Sequence, residues 1–311
     1  MTTTNMAARV AAKKSQLDRL RPFPEAAVAR LKKNLALEWI YNSNAIEGNT
    51  LNKRETELIL EQGATFGNKT VREHYEVINH QEAIRLVETL AVQDIMITAA
   101  HVRQLHARLL AKIDDQRAGQ YRVLPVQKPV TANEPPYGWQ VPAEMDGWAH
   151  WLRQQEFAME PVELAAVAHH KLIAIHPFNE GNGRVSRLVM NLVLMRAGFP
   201  PAIIGSGERR SYFRALGQAD KGNPSLLINL VGRALEHTLT RYLDACTPEA
   251  PAPDQEWLSL REAAEMTGYS ATYLSQLARS GRIEAIKRGR LWYTTLQAVK
   301  AYAAEQGFTG S

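Results

Sequence analysis

Four residues with the chemistry of a transfer reaction stand close together in one stretch of this chain: His176, Glu180, Arg184 and Arg187, with Gly181-Asn182-Gly183 between them. His176 is the one side chain of the stretch able to take a proton near neutral pH. Glu180 is a lone carboxylate, enough to hold Mg²⁺ whose other ligands are phosphate oxygens and water. Gly181 to Gly183 open a helix, where free backbone N–H groups bind anions and glycine lets phosphate oxygens come close. Arg184 and Arg187 are three apart, so they share a helix face and reach one phosphate chain. These are the parts needed to hold a metal-bound polyphosphate beside an incoming hydroxyl. A plain helix–loop–helix turn would account for Pro177 and Gly181, but it needs neither Asn182 nor the two arginines. No Gly-Lys-[Ser/Thr] follows the glycines, so the stretch is not a P-loop.

The elements that must position these groups are mostly helices. Apolar residues recur at helical spacing in Leu31, Leu35, Leu37 and Ile40, and in Val77, Ile78, Ala83, Leu86 and Leu90. Pro161 to Ile175 predicts a helix ending just before His176, with proline at its first position and Glu163 in its first turn. Gly183 to Ala197 predicts the next, closed by Gly198 and stopped by Pro200-Pro201. His169 and His170 read as packing or surface residues, and His101, His106 and the other histidines lack metal-ligand spacing. Gly119 to Pro142 breaks the pattern with prolines and β-formers, and predicts a short irregular hairpin or flap. It is a connecting loop or, at this length, a functional one. Thr247 to Asp254, rich in alanine, proline and acidic residues, predicts an extended linker.

Composition narrows the class. A chain of 311 residues exceeds one ordinary core and suggests two or three units. Its 45% hydrophobic and 22% charged residues fit a globular protein, and a net charge of +5 permits contact with nucleotide or nucleic acid without demanding it. One cysteine, Cys246, excludes an internal disulfide and a multi-cysteine metal site. No signal peptide and no membrane-spanning run is visible, so a cytoplasmic setting is expected.

His176-Pro177-Phe178-Asn179-Glu180-Gly181-Asn182-Gly183-Arg184-Val185-Ser186-Arg187 matches the Fic-domain motif HPFx[D/E]GNGRxxR at every fixed position. The chain resembles that family from about Leu35 to Tyr242. The resemblance implies a mainly α fold: a helical Fic core with a short β-hairpin flap. It also implies transfer of AMP from ATP to a Ser, Thr or Tyr hydroxyl of a protein, with Mg²⁺ as cofactor. His176 would be the base and Glu180 the metal ligand. Gly181, Asn182, Gly183 and Arg184 would cradle the α- and β-phosphates, Arg187 would hold the γ-phosphate, and Tyr212 would line the adenine pocket. Val126, Gln127, Lys128 and Pro129 would form the flap that docks the target by strand addition. Two positions depart from the family: Glu180 is often Asp, and Asp220 replaces an Asn.

Ser43-Asn44-Ala45-Ile46-Glu47-Gly48-Asn49 is the second motif. Alone it reads as a helix C-terminus with Gly48 at the cap. Beside a Fic core it resembles the inhibitory motif [S/T]xxxE[G/N], with Ser43 and Glu47 at its fixed positions. Glu47 would pair with Arg187 in place of the γ-phosphate, and could also align a water that removes AMP from the target.

After the linker, Leu258 to Gly268 predicts a helix with Ser259 as N-cap and Glu262 completing a capping box. Ser270 to Arg279 predicts a second helix, Ile283–Ile286 and Leu291–Thr294 two strands around Lys287-Arg288-Gly289-Arg290, and Leu296 to about Glu305 a last helix. This resembles a winged helix-turn-helix of the excisionase/MerR type. As a DNA reader it would present Thr272, Tyr273, Gln276 and Arg279 to the major groove, with Lys287, Arg288 and Arg290 on phosphates. Residues 255–311 carry seven Lys/Arg against five Asp/Glu, a balance of +2 that leaves protein docking open as the alternative.

The expected organisation is thus an N-terminal helical region (1–95) with the inhibitory motif, a Fic core (96–245), a linker (246–256) and the winged helix-turn-helix (257–311). The expected function is an autoinhibited protein adenylyltransferase, able to run in reverse. The alternative is a DNA-binding transcriptional regulator whose core senses ATP or modifies only itself. Expected partners are a target protein, the chain itself included, and DNA; homodimerisation is left open, and no membrane partner is expected.

Overall fold

A computed structural model describes residues 3–23, 25–125, 134–246, 257–288 and 291–305. The chain divides into two compact units, Met1–Cys246 and Thr247–Ser311. The first is helical: α1 (Thr3–Arg19), α2 (Glu25–Ile46), α3 (Lys53–Gln62), α4 (Val71–Ala91), α5 (Ala99–Leu110), α6 (Val141–Gln155), α7 (Pro161–Ile175), α8 (Asn182–Arg196), α9 (Arg209–Ala219) and α10 (Ser225–Cys246). These helices share one hydrophobic core.

At its centre lies α8, which packs on α7, α4 and α5. Val185, Leu188, Val189, Met190, Leu192 and Leu194 are all buried, and so are the polar Arg184, Ser186, Arg187 and Asn191, because neighbouring helices enclose α8. From within α8, Asn191 clamps the loop that follows the helix: its Nδ2 donates to the Ala202 carbonyl at 3.1 Å and its Oδ1 accepts the Ala202 N–H at 2.8 Å. Helix α1 lies along α10 because Gly232 makes room for it; a Cβ there would sit 1.9 Å from Met6 Sδ. Arg9 adds a bidentate pair to Glu236, both bonds at 3.0 Å.

Local sequence explains where α3 and α4 begin. Asn52 and Glu55 form one capping box, Thr70 and Glu73 another. Glu73 also accepts from the backbone N–H and hydroxyl of Thr50. Burial pushes its carboxyl up, but the bonds from Thr50 and Thr70 outweigh that and bring it down to about 2. Asn49 Nδ2 donates to the Glu73 carbonyl and to Glu76 Oε2, and Asn44 Nδ2 to the Glu76 carbonyl. The turn after α2 is therefore bolted to the start of α4. At its other side, Arg209 Nε donates to the Ile46 carbonyl at 2.8 Å, a cation closing a helix C-terminus.

The second unit holds β1 (Leu258–Ser259), α11 (Leu260–Thr267), α12 (Ala271–Arg279), β2 (Ala285–Arg288), β3 (Leu291–Thr294) and α13 (Leu296–Glu305). Its sheet is antiparallel in the order β1-β3-β2, with Leu258 opposite Thr294 and Ile286 opposite Tyr293. Leu260, Ala263, Leu274, Leu277, Ile283, Val299 and Tyr302 make its core. The Ser259–Glu262 capping box is formed, and Gly268 ends α11 in the left-handed conformation.

The structure shifts several expected boundaries. α8 starts at Asn182 rather than Gly183. Val141 and Pro142, read as the end of the flap, are the first turn of α6, where proline loses no hydrogen bond. Residues 119–125 and 134–137 contain no strand, and Val126 to Pro129 lie outside the described residues. The second-unit strand begins at Ala285, not Ile283; Ile283 instead fills the core, and Lys287 and Arg288 belong to the strand rather than to the turn. Ile78, placed on an apolar face, is 39% exposed. Among the described residues no helix is long and apolar enough to cross a membrane.

Candidate active site

The loop between α7 and α8 carries the chemistry, and its shape follows from Pro177. A residue before proline is disfavoured in the right-handed helical region. His176 accordingly leaves the helix with φ 50° and ψ 59°, its N–H bonded to the Leu172 carbonyl at 3.1 Å. For a residue with a Cβ this conformation costs roughly 1–2 kcal/mol, so the surroundings must impose it. Arg122 does so: Nε donates to the His176 carbonyl at 2.7 Å, and its backbone N–H to that of Pro177 at 2.9 Å. Asn182 closes the loop on itself, accepting the Phe178 N–H at 2.9 Å and donating to the Phe178 carbonyl at 2.8 Å.

His106, a histidine with no expected role, supports the loop from below. Its ring stacks on Phe178 with centroids 3.7 Å apart. Nδ1 accepts the Gly119 N–H at 2.9 Å, which leaves the proton on Nε2, 3.1 Å from the Glu180 carbonyl it bonds. Burial holds this imidazole neutral, with its pKa down at about 4. Gly181 then turns the chain at φ 76° with Leu110 and His106 close against it, and the first residues of α8 border a cavity.

That cavity has a volume of about 380 Å³. His176, Glu180, Gly181, Asn182, Gly183 and Arg184 border it, as do Tyr212 and Glu47. Sequence expectations for these eight residues therefore converge on one place. Burial, followed by the positive charge of Arg122, lowers the His176 pKa to about 4. The imidazole is neutral at physiological pH and free to accept a proton.

Arg187 lies 3% exposed behind the cavity wall. Nε donates to Ser43 Oγ at 3.0 Å, and Nη2 to the Ser43 carbonyl at 2.8 Å and to Glu47 Oε1 at 2.9 Å. Nη1 reaches Tyr212 Oη at 3.4 Å, and that hydroxyl lies 2.9 Å from His169 Nε2. Tyr212 thus borders the cavity and also braces Arg187. The Glu47 carboxylate rests on the start of α8: a Cβ on Gly183 would be 2.2 Å from Oε1.

Helix α4 contributes a face that sequence reasoning did not assign. Arg72, Glu76 and His80 follow one another at four-residue spacing. Arg72 pairs with the Glu180 carboxylate. Glu76 lies 3.3 Å from Arg184, near enough for an ion pair, yet Arg184 Nε and Nη1 make no hydrogen bond among the described residues. His80 is wholly buried, and burial and then the charges of Arg184 and Arg187 keep it neutral. Asp220 is bonded to His170 at 2.8 Å. The i, i+4 repeat was the available signal for α4, but charged residues so spaced normally mark a solvated face.

Among the described residues no cluster of three His, Cys, Asp or Glu could hold a metal by itself. The donor set fits a metal ligated by one carboxylate and by phosphates: Glu180 borders the cavity next to an arginine whose buried donors are unfilled.

In the second unit, Thr272, Gln276 and Arg279 are exposed on α12, and Lys287 is exposed on β2. Tyr273 stacks on Tyr269, and its hydroxyl bonds that of Tyr302, so its polar end is engaged internally. Arg288 stands at the end of β2, and Arg290 lies outside the described residues.

Comparison with known proteins follows the same lines. Residues 96–194 match the model of the Fic/DOC family, and residues 257–307 that of a helix-turn-helix domain. The Protein adenylyltransferase Fic of Drosophila grimshawi is 36% identical over 256 residues, 82% of this chain and 52% of that protein. The protein of the same name from Nematostella vectensis is 37% identical over 234 residues, 74% and 54% of the two chains. The chain spans about half the length of these curated relatives. Among solved structures, Fic-1 from C. elegans has a TM-score of 0.72 at 30% identity, covering 78% of this chain and 72% of that one. A Fic domain containing signaling protein from Bacteroides thetaiotaomicron has a TM-score of 0.70 at 28% identity, covering 76% and 96%.

Proposed function

The chain belongs to the Fic/DOC family, and we propose that it is a protein adenylyltransferase held in check by Glu47. The observation that carries this reading is the position of the Glu47 carboxylate. It bonds Arg187 and covers Gly183, while the neutral His176 stands open to the same cavity.

In the proposed reaction a target hydroxyl attacks the α-phosphorus of ATP. His176 takes the hydroxyl proton, the bond from the α-phosphorus to the bridging oxygen breaks, and pyrophosphate leaves. The N–H groups of Gly181 to Gly183 and the unfilled Arg184 donors receive the α/β-phosphates, and Arg187 the γ-phosphate. Glu180 would hold Mg²⁺ with these phosphates, and the ion when bound supplies positive charge against the developing pyrophosphate. Arg72 must first release the Glu180 carboxylate. Tyr212 and Phe213 also border the cavity and are the side chains assigned to the base of the nucleotide. Glu47 shares the cavity with His176, so it is also the group assigned to orient a water for AMP removal, the reverse direction. Ser, Thr or Tyr hydroxyls of a protein, this chain included, are the acceptor class.

The exposed polar face of α12 supports a second role, sequence-tolerant or specific DNA binding by the helix-turn-helix unit through Thr272, Gln276, Arg279 and Lys287. Incubating the Glu47→Gly variant with α-labelled and, separately, γ-labelled ATP tests the transferase reading. Label retained on protein only from the α position is expected. Label from the γ position alone would mean phosphoryl transfer and reject it.

A further inference from the structure

We propose that Arg122 is the positioning residue for His176, setting the imidazole against the cavity by gripping the end of α7. The inference rests on the reading of His176 as the base.

Arg122 is 2% exposed, and among the described residues no carboxylate pairs with it. Burying a guanidinium without a counter-charge is costly unless its donors are all filled. Here each of the three nitrogens donates to a main-chain carbonyl, in four bonds among the described residues. Nε donates to His176 at 2.7 Å and Nη2 to Ile175 at 3.4 Å, the last carbonyls of α7. These carry the partial negative charge of the helix C-terminus, which is what a buried cation needs. Nη2 also donates to the Pro136 carbonyl at 2.5 Å and Nη1 to that of Leu124 at 3.1 Å. A single planar fork therefore joins the base to the two chain segments that flank it, Leu124 and Pro136.

His176 needs such a grip. Its left-handed backbone is unfavourable for any residue with a Cβ, and both carbonyls that define the turn, those of His176 and Pro177, are bonded by Arg122. The charge acts in the same direction: Arg122 is the second cause, after burial, that keeps the imidazole unprotonated. The other charged groups bordering the cavity are Glu47, Arg72, Glu76, Glu180 and Arg184. None of these bonds the His176 backbone. The phosphate cradle, by contrast, is held by Asn182, His106 and Gly181, none of which Arg122 bonds.

The test uses the full chain in the Glu47→Gly background, with Arg122→Met and Arg122→Lys. Methionine fills the space but donates nothing; lysine keeps the charge without the planar fork. Arg122→Met is expected to lower kcat about 100-fold, the scale of a 1 Å misplacement, while KM for ATP stays within about twofold. Its acid limb moves to higher pH. Arg122→Lys is expected to keep the acid limb and recover part of kcat. The His176 imidazole signals, followed by NMR against pH without substrate, shift in Arg122→Met. This last readout holds even if no variant transfers AMP, in which case the transferase reading fails and the positioning claim is judged by NMR alone. Unchanged kcat and unchanged His176 titration in a folded Arg122→Met protein would overturn the proposal. Should methionine prevent folding, Arg122→Lys decides: full kcat there, with the fork gone, overturns it, and a partial loss at constant KM supports it.

Discussion

Replacing Glu47 with glycine removes the carboxylate that, among the described residues, bonds Arg187, and it uncovers Gly183. A charge-assisted hydrogen bond is worth about 1.5–3 kcal/mol when dry. The Glu47 side chain is 37% exposed, so solvent screening brings the contribution to the low end, about 1.5 kcal/mol. Arg187 keeps its bonds to Ser43 Oγ and the Ser43 carbonyl, and stays in place to receive a γ-phosphate. Loss of the competing carboxylate should then tighten ATP binding about 10-fold. Transfer should rise by more than that, because the carboxylate also lies where phosphate oxygens would approach Gly183. Glu47→Gln keeps the bulk and loses the charge, so it should fall between the two. Titration calorimetry with ATP and Mg²⁺, paired with transfer rates from α-labelled ATP, measures both effects. Affinity within twofold of the parent, with no gain in transfer, would refute the competition between Glu47 and the γ-phosphate.

Arg72→Ala should free Glu180, so that less Mg²⁺ is needed to reach half-maximal ADP binding, measured by calorimetry at several Mg²⁺ concentrations; an unchanged requirement would show that the Arg72 pair is only a surface contact. Buried His106 and His176 have folded pKa values near 4, below the ordinary histidine value of 6.5. The unfolded chain binds more protons between those values, so stability is full above pH 6.5 and lost as pH falls toward 4. A melting temperature that declines through that window is expected, and His106→Phe should flatten the decline. The helix-turn-helix unit, if it reads DNA, should give a gel shift that weakens steeply with salt, and Arg279→Ala should reduce the shift; binding that is insensitive to salt would point to a different partner.

How much of this was readable beforehand depended on how far each signal reached along the chain. Pro161 and the His176-Pro177 pair marked both ends of α7, because proline restricts its own and the preceding residue locally. Ser259 and Glu262 marked the start of α11 because a capping box is formed by hydrogen bonds within four residues. Glu47 and Arg187 were joined through family resemblance, not through anything in their 140-residue separation. Arg122 and His106 gave no such signal: their partners are carbonyls of His176 and Glu180, 54 and 74 residues away, and any residue supplies a carbonyl. An arginine within the apolar run Tyr121 to Leu124 was the available hint. Arg72 and Glu76 carried no assignment, because charged residues four apart mark a helix face without saying what lies beside it; the fold sets them against Glu180 and Arg184. β2 was displaced by two residues because Ile283 has strand propensity but is claimed by the core.

Intact-mass spectrometry after incubation with ATP and Mg²⁺, on Glu47→Gly and on Glu47→Gly/His176→Ala, reads the transfer reaction itself. The single variant should gain the mass of one or more AMP groups, and the double variant none. No mass gain on the single variant or on any protein supplied with it, or an equal gain on both, would contradict AMP transfer by His176 under the restraint of Glu47.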